Sequence, residues 1–187
     1  MQWVARDSRN WRIGAASDVA WINAGTSVGT TITSGIPAVF DDYATVVLPE
    51  TLAAQRRHDR ALIASLRSQS PEQQWWLGYL ETGASDIVFP DAPRTALYPG
   101  WPYVLVLAGP EQATGWRRDD SPGRELPDLM FPTDRSWLVS TLWDDAWTCV
   151  GGSVSLVDAL MNDADLRPRV RRVGVDDDAT PPGHQSI

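Results

Sequence analysis

Three pairs of adjacent carboxylates, Asp41-Asp42, Asp119-Asp120 and Asp144-Asp145, have the clearest capacity for chemistry in this chain. Two nearby carboxyls can hold different pKa values and divide acid and base roles, as glycoside hydrolysis requires. Neighbours on a turn point apart, however, and Asp-Asp is ordinary turn composition, so the pairs read first as turns. Nucleophilic catalysis has little to work with. The two histidines, His58 and His184, fall on a polar helix and near the C-terminus, and the one cysteine, Cys149, falls in an apolar strand. A triad needs an imidazole brought to the nucleophile and oriented by a carboxylate. One cysteine and two separated histidines do not build a zinc cage either. No catalytic residue, metal or cofactor is assigned, and Cys149 is expected to be a buried thiol.

Gly151-Gly152-Ser153 offers a different capacity. A strand running through a glycine pair into a helix presents backbone N–H groups at the positive end of the helix dipole. A phosphate could sit there with Arg135 nearby. The same residues also suit a tight strand-to-helix turn in which Ser153 is the N-cap.

Ten tryptophans supply the third capacity. Trp21, Trp76 and Trp137 read as core. Trp101 falls in a Pro/Gly turn, Trp116 in a polar loop beside Arg117-Arg118, and Trp143 and Trp147 bracket the acidic turn 144–145. Exposed Trp beside Arg or Asp is the composition of a protein-interface hot spot. Trp101, Trp116, Trp143, Trp147, Asp144 and Asp145 are therefore the expected partner-binding residues.

The elements that must position these groups follow from the hydrophobic pattern. Strict alternation over 137–143 puts Trp137, Val139, Thr141 and Trp143 on one strand face, and Leu138, Ser140 and Leu142 on the other. A second strand covers 147–150, and Ser153 caps a helix of about ten residues with Leu156, Val157, Leu160 and Met161 as its buried stripe. The clearest helix spans 51–69, with Leu52, Leu62, Ile63 and Leu66 apolar and Arg56, Arg57, Arg60 and Arg67 solvated. His58 and Asp59 on it read as surface residues. A short helix over 18–24 is expected, capped by Ser17 and stopped by Gly25. Strands are expected over 3–5, 11–14, 43–48, 75–80, 86–89, 103–107 and 169–173. The runs 75–80 and 86–89 read as a hairpin, 90–93 and 98–102 as turns, and 109–127 as a polar loop.

The chain has 187 residues, 43% hydrophobic and 21% charged, which suits one domain. The expected architecture is α+β: a mainly antiparallel sheet built from hairpins, flanked by two or three helices, over 1–173. An acidic, Pro-containing tail that packs weakly follows over 174–187. Net charge is −8, and all 16 basic residues are Arg. That balance steers the protein towards basic partners and away from nucleic-acid backbones and anionic membranes. With no signal pattern at the start and no bilayer-length apolar run, a cytoplasmic location is expected.

The stretch 126–153, from Leu126-Pro127-Asp128 through Trp143-Asp144-Asp145-Ala146-Trp147 to Gly151-Gly152-Ser153, is similar to small Trp-rich proteins of actinobacteria. So is Ile36-Pro37-Ala38-Val39-Phe40-Asp41-Asp42-Tyr43-Ala44-Thr45. Size, acidity and α+β pattern also resemble, in class rather than motif, bacterial immunity proteins such as the SUKH group. These observations order three readings. The first is a non-catalytic interaction module, such as an immunity protein or antitoxin, that binds a basic partner. The second is an enzyme or binder of a small phosphorylated or sugar ligand at Gly151–Ser153. The third is a structural subunit whose exposed Trp form a homodimer face.

Overall fold

The computed structural model describes residues 2–4, 9–83, 87–117 and 125–185. Among these, ten strands form one antiparallel sheet: β1 (Gln2–Val4), β2 (Asn10–Ile13), β3 (Asp42–Val47), β4 (Trp75–Leu80), β5 (Thr95–Leu97), β6 (Trp101–Ala108), β7 (Leu129–Pro132), β8 (Leu138–Ser140), β9 (Trp147–Gly152) and β10 (Val170–Arg172). Three α-helices accompany it: α1 (Ala16–Gly25), α2 (Leu52–Gln69) and α3 (Val154–Asn162). The strand order is β1-β2-β6-β4-β7-β8-β9-β3-β10, with β5 also paired to β6. The fold is the α+β architecture that the pattern predicts.

Alternation along the strands feeds two cores. On one face, Trp75, Leu77 and Tyr79 of β4 join Leu62 and Leu66 of α2 and Leu156 and Leu160 of α3. On the other, Trp76 and Leu80 join Val19 and Ile22 of α1, with Ile32 and Ile36 of the segment that follows it. Every residue of β4 is buried, because β6 and β7 flank it and both faces are covered. Trp75 and Trp137 meet edge to face at 4.8 Å, and the Trp137 indole donates to Ser70 Oγ at 2.9 Å.

Local signals set the helix starts. Thr51 caps α2 by accepting from the Ala54 N–H, and Ser153 caps α3 by accepting from the Leu156 N–H. At α1 the expected Ser17 cap gives way to Ala15, whose N–H donates to Asp18 Oδ2 at 2.8 Å. The reach of that carboxylate starts the helix two residues early.

Other expectations are corrected by tertiary pairing. The strand expected over 86–89 is no partner of β4: Asp86 lies outside the described residues, and Ile87 makes an isolated bridge to Arg117. The short strand β5 is instead found between the two expected turns, paired to β6 from Thr95↔Tyr103 to Leu97↔Trp101. The loop over 109–127 carries a buried Trp116, packed edge to face with Trp11 and Phe89, each at 5.0 Å. Its Arg117 pairs with Asp128 at 2.6 Å, and Asp128 also accepts the Leu80 N–H at 2.8 Å. Asp119 and Asp120 lie outside the described residues. The segment after Gly174 is docked rather than weakly packed: Ala179 and Pro181 are buried, the Ala179 N–H donates to Thr30 O, and Arg171 donates to the carbonyls of Asp178 and Thr180. Apolar Val173 and Ala179 seat it on the α1 side of the sheet.

Gly151 shows how tightly that side is built. A Cβ there would lie 2.5 Å from both Ile36 Cγ2 and Phe40 Cδ2, whereas one on Gly29 would meet nothing within 4 Å. Gly151→Ala is expected to lower stability by about 1–3 kcal/mol, and Gly29→Ala to stay within about 0.5 kcal/mol of the parent. Urea midpoints of the two variants check this.

Candidate functional site

One cleft gathers residues from three separate stretches of the chain. The end of α1 gives Asn23, the following loop gives Val28, the β5–β6 turn gives Tyr98, and β6 opens with Trp101. The β8–β9 turn completes the lining with Trp143 and Asp145. The cleft has a volume of about 280 Å³, just under the ~300–1,000 Å³ usual for small-molecule pockets. Its rim is open to solvent, with Val28 88% and Trp143 53% exposed.

The aromatic rings are fixed at steep angles. Trp101 and Trp143 lie 6.2 Å apart at 87°, and Tyr98 lies 6.2 Å from Trp101 at 64°. Two turns with left-handed residues make this possible. Asp144 has φ 62° in the β8–β9 turn, which is closed by the Asp145 N–H donating to Leu142 O. Tyr98 has φ 54°, a conformation that costs a non-glycine residue roughly 1–2 kcal/mol.

Hydrogen bonds hold Tyr98 there. Its N–H donates to Asn23 Oδ1 at 2.8 Å, and its hydroxyl donates to Gly35 O at 3.0 Å. The hydroxyl has one proton, so its 2.5 Å contact with Ser140 Oγ is a bond it accepts. Burial raises the Tyr98 hydroxyl pKa well above its ordinary value of 10.0. Cys149 packs beside this group: a Cβ on Gly35 would lie 3.8 Å from its Sγ. Burial, reinforced by the charge of Asp145, pushes the Cys149 thiol up to about 12. It is an inert core thiol.

The cleft brings together Trp101, Trp143 and Asp145 from the expected partner-binding set, with Asp144 exposed on the adjoining turn. It leaves out two others. Trp116 is 3% exposed and Trp147 4%, so both are core residues. Trp147 faces Tyr43 and Cys149 in one core and meets the His184 ring at 5.9 Å. Trp143 itself departs from the expected alternation. The strand ends at Ser140, and the turn carries Trp143 to the α1 side, away from Trp137.

Strand β9 runs through Gly151-Gly152 into α3 as expected, with Ser153 as the N-cap, but Arg135 does not join them. Both glycines lie inside β9, paired with Tyr43 and Asp42 of β3, rather than at a turn. Ser153 Oγ already takes the Leu156 N–H and donates to Gln69 Oε1 at 3.1 Å. Arg135 is elsewhere, stacked over the Trp21 ring at 5.4 Å. The acidic pairs also separate: Asp42 accepts the Tyr43 N–H and pairs with Arg172 at 2.9 Å, while Asp41 is exposed.

His58 and Asp59, expected at the surface, lie inside the protein. Both are fully buried on α2, where Gln55 Nε2 donates to Asp59 at 2.7 Å and Arg169 lies 3.3 Å from His58 Nδ1. The signal was present: Gln55, His58, Asp59, Leu62 and Leu66 recur at three- and four-residue spacing, one helix face. Among the described residues, no group of three or more His, Cys, Asp or Glu side chains is placed to hold a metal ion, and no helix is long and apolar enough to cross a membrane.

Comparison with protein-family profiles, with curated proteins and with solved structures finds no match. The geometry of the cleft therefore carries the functional reading.

The Tyr98 hydroxyl and the Cys149 thiol bind their protons more tightly folded than unfolded. Their contribution to stability is full below about pH 9 and is lost as pH rises through the raised folded values. Urea midpoints should fall between pH 9 and pH 11, and Cys149→Ala should flatten part of that fall. At pH 8, the thiol should react with a disulfide reagent only after denaturant is added.

Proposed function

We propose that this chain is a non-catalytic interaction module that holds a positively charged side chain of a protein partner in the Trp101–Trp143–Asp145 cleft. The observation that carries the reading is the convergence of two steeply angled indoles and Asp145 in one open cleft. Aromatic faces attract cations through the ring quadrupole, by about 0.5–1 kcal/mol when exposed and about 2 kcal/mol or more when desolvated. Asp145 lines the same cleft, and the chain's net −8 steers basic partners towards it.

The lining argues against a phosphorylated ligand at this place. No arginine is among the described residues around the cleft, although all 16 basic residues of the chain are Arg. A sugar platform needs an open ring face lying along the pyranose, and rings at 87° offer a corner instead. The most specific form of the reading is a cytoplasmic immunity protein or antitoxin covering a basic toxin surface. The acidity and the Trp-rich binding face support it.

The reading predicts a salt-sensitive complex with a basic protein. Trp143→Ala and Asp145→Ala should each weaken it by about 1–2 kcal/mol, roughly 5- to 30-fold, with unchanged thermal unfolding. Trp116→Ala should instead unfold the chain, since it empties a core site. Titration calorimetry at two salt concentrations, paired with thermal melts, checks this. Affinity unmoved by either cleft substitution contradicts the reading. A mass that rises with concentration, and falls back in Trp143→Ala, assigns the face to a homodimer.

A further inference from the structure

We propose that the cleft is selective for alkylammonium over guanidinium, so that the partner group it seats is a lysine head, bare or methylated. The inference rests on the cation-binding reading above and narrows it.

Ring geometry makes the selection. Guanidinium is planar and gains most by lying flat on one aromatic face, with its N–H fork aimed at a carboxylate. At the cleft the Trp101 and Trp143 planes meet at 87°, and Tyr98 stands at 64° to Trp101 on the same wall. A flat ion in that corner covers one face and turns its edge to the other. A compact tetrahedral ion touches both faces at once, and each N-methyl group spreads its charge over the apolar contact. The volume of about 280 Å³ suits one side-chain head and its stem rather than a larger ligand.

The corner is also set before anything binds. Tyr98 is tied to Asn23, Gly35 and Ser140, and the Trp143 turn is closed by the Asp145–Leu142 bond. A preset corner avoids the ordering cost that would blur a difference between two cations. A lysine-selective cleft also disfavours self-association, because the chain contains no lysine to offer a second copy.

The alkylammonium head is shared by a partner's lysine and by free quaternary ammonium solutes, and the test separates them. Tetramethylammonium chloride, guanidinium chloride below denaturing concentration, and neutral neopentyl alcohol are titrated by calorimetry at fixed ionic strength into the full chain. Nα-acetyl-lysine amide and its Nε-trimethyl form are titrated in parallel. We expect tetramethylammonium to bind at least fivefold more tightly than guanidinium, and neopentyl alcohol not to bind. Trp143→Ala and Asp145→Asn should each weaken tetramethylammonium by fivefold or more, with unchanged melting. The trimethyl-lysine amide should bind at least as tightly as tetramethylammonium.

Guanidinium binding as tightly overturns the selectivity and leaves the cation-binding reading standing. Neopentyl alcohol binding as well as tetramethylammonium overturns both, since the cleft would then be merely apolar. Tetramethylammonium binding with both lysine amides rejected overturns the partner-lysine assignment in favour of a free quaternary solute. No saturable binding by any cation overturns the proposal.

Discussion

A sheet covered on both faces is the constraint from which the rest of this structure follows. Trp75, Leu77 and Tyr79 need α2 and α3 above them, while Trp76, Leu80 and Leu105 need a second cover below. Among the described residues, α1, at ten residues, is the one α-helix on that lower face. The remainder is covered by a short 3-10 turn at Ile32–Ser34 with the residues after it to Ile36, and by the C-terminal segment around Ala179. Irregular chain carries backbone groups that need partners, and a buried carbonyl without one is costly. Gly35 O is such a carbonyl, and the Tyr98 hydroxyl satisfies it.

The cleft is a consequence of that arrangement. Tyr98 reaches under the β8–β9 turn to Gly35 and Ser140, which fixes the β5–β6 turn against the end of α1. The left-handed backbone at Tyr98 is affordable because these bonds, each worth about 1 kcal/mol net, hold it in place. Trp101 follows three residues later, and the β8–β9 turn brings Trp143 across to it. The proposed site lies where two turns and a helix end meet, on a frame whose rigidity comes from the sheet.

Much of the fold was legible because periodicity is local. The apolar run at 75–80 and the three- and four-residue spacing at 52–69 each name their element, and Thr51 and Ser153 mark helix starts. Pairing was less legible, because β4 takes partners 20 or more residues away instead of the adjacent run at 87–89. Side-chain exposure failed where polar neighbours misled. Arg117-Arg118 suggested a wet Trp116, yet Trp11 and Phe89 close over it. Within the site, Trp101, Trp143 and Asp145 could be picked out from composition. Tyr98 and Asn23 could not, since their roles depend on a left-handed backbone and on partners up to 75 residues away.

The central claim is that binding is confined to one preset corner of the molecule. Ten indoles give ten resolvable side-chain N–H reporters, so the most direct measurement is a proton–nitrogen correlation spectrum recorded while an oligolysine peptide is titrated in. The account predicts that the indole signals of Trp101 and Trp143 shift and saturate together, while those of Trp75, Trp116 and Trp137 in the core stay in place. Shifts centred elsewhere, or spread evenly over the exposed acidic surface without saturation, would contradict it.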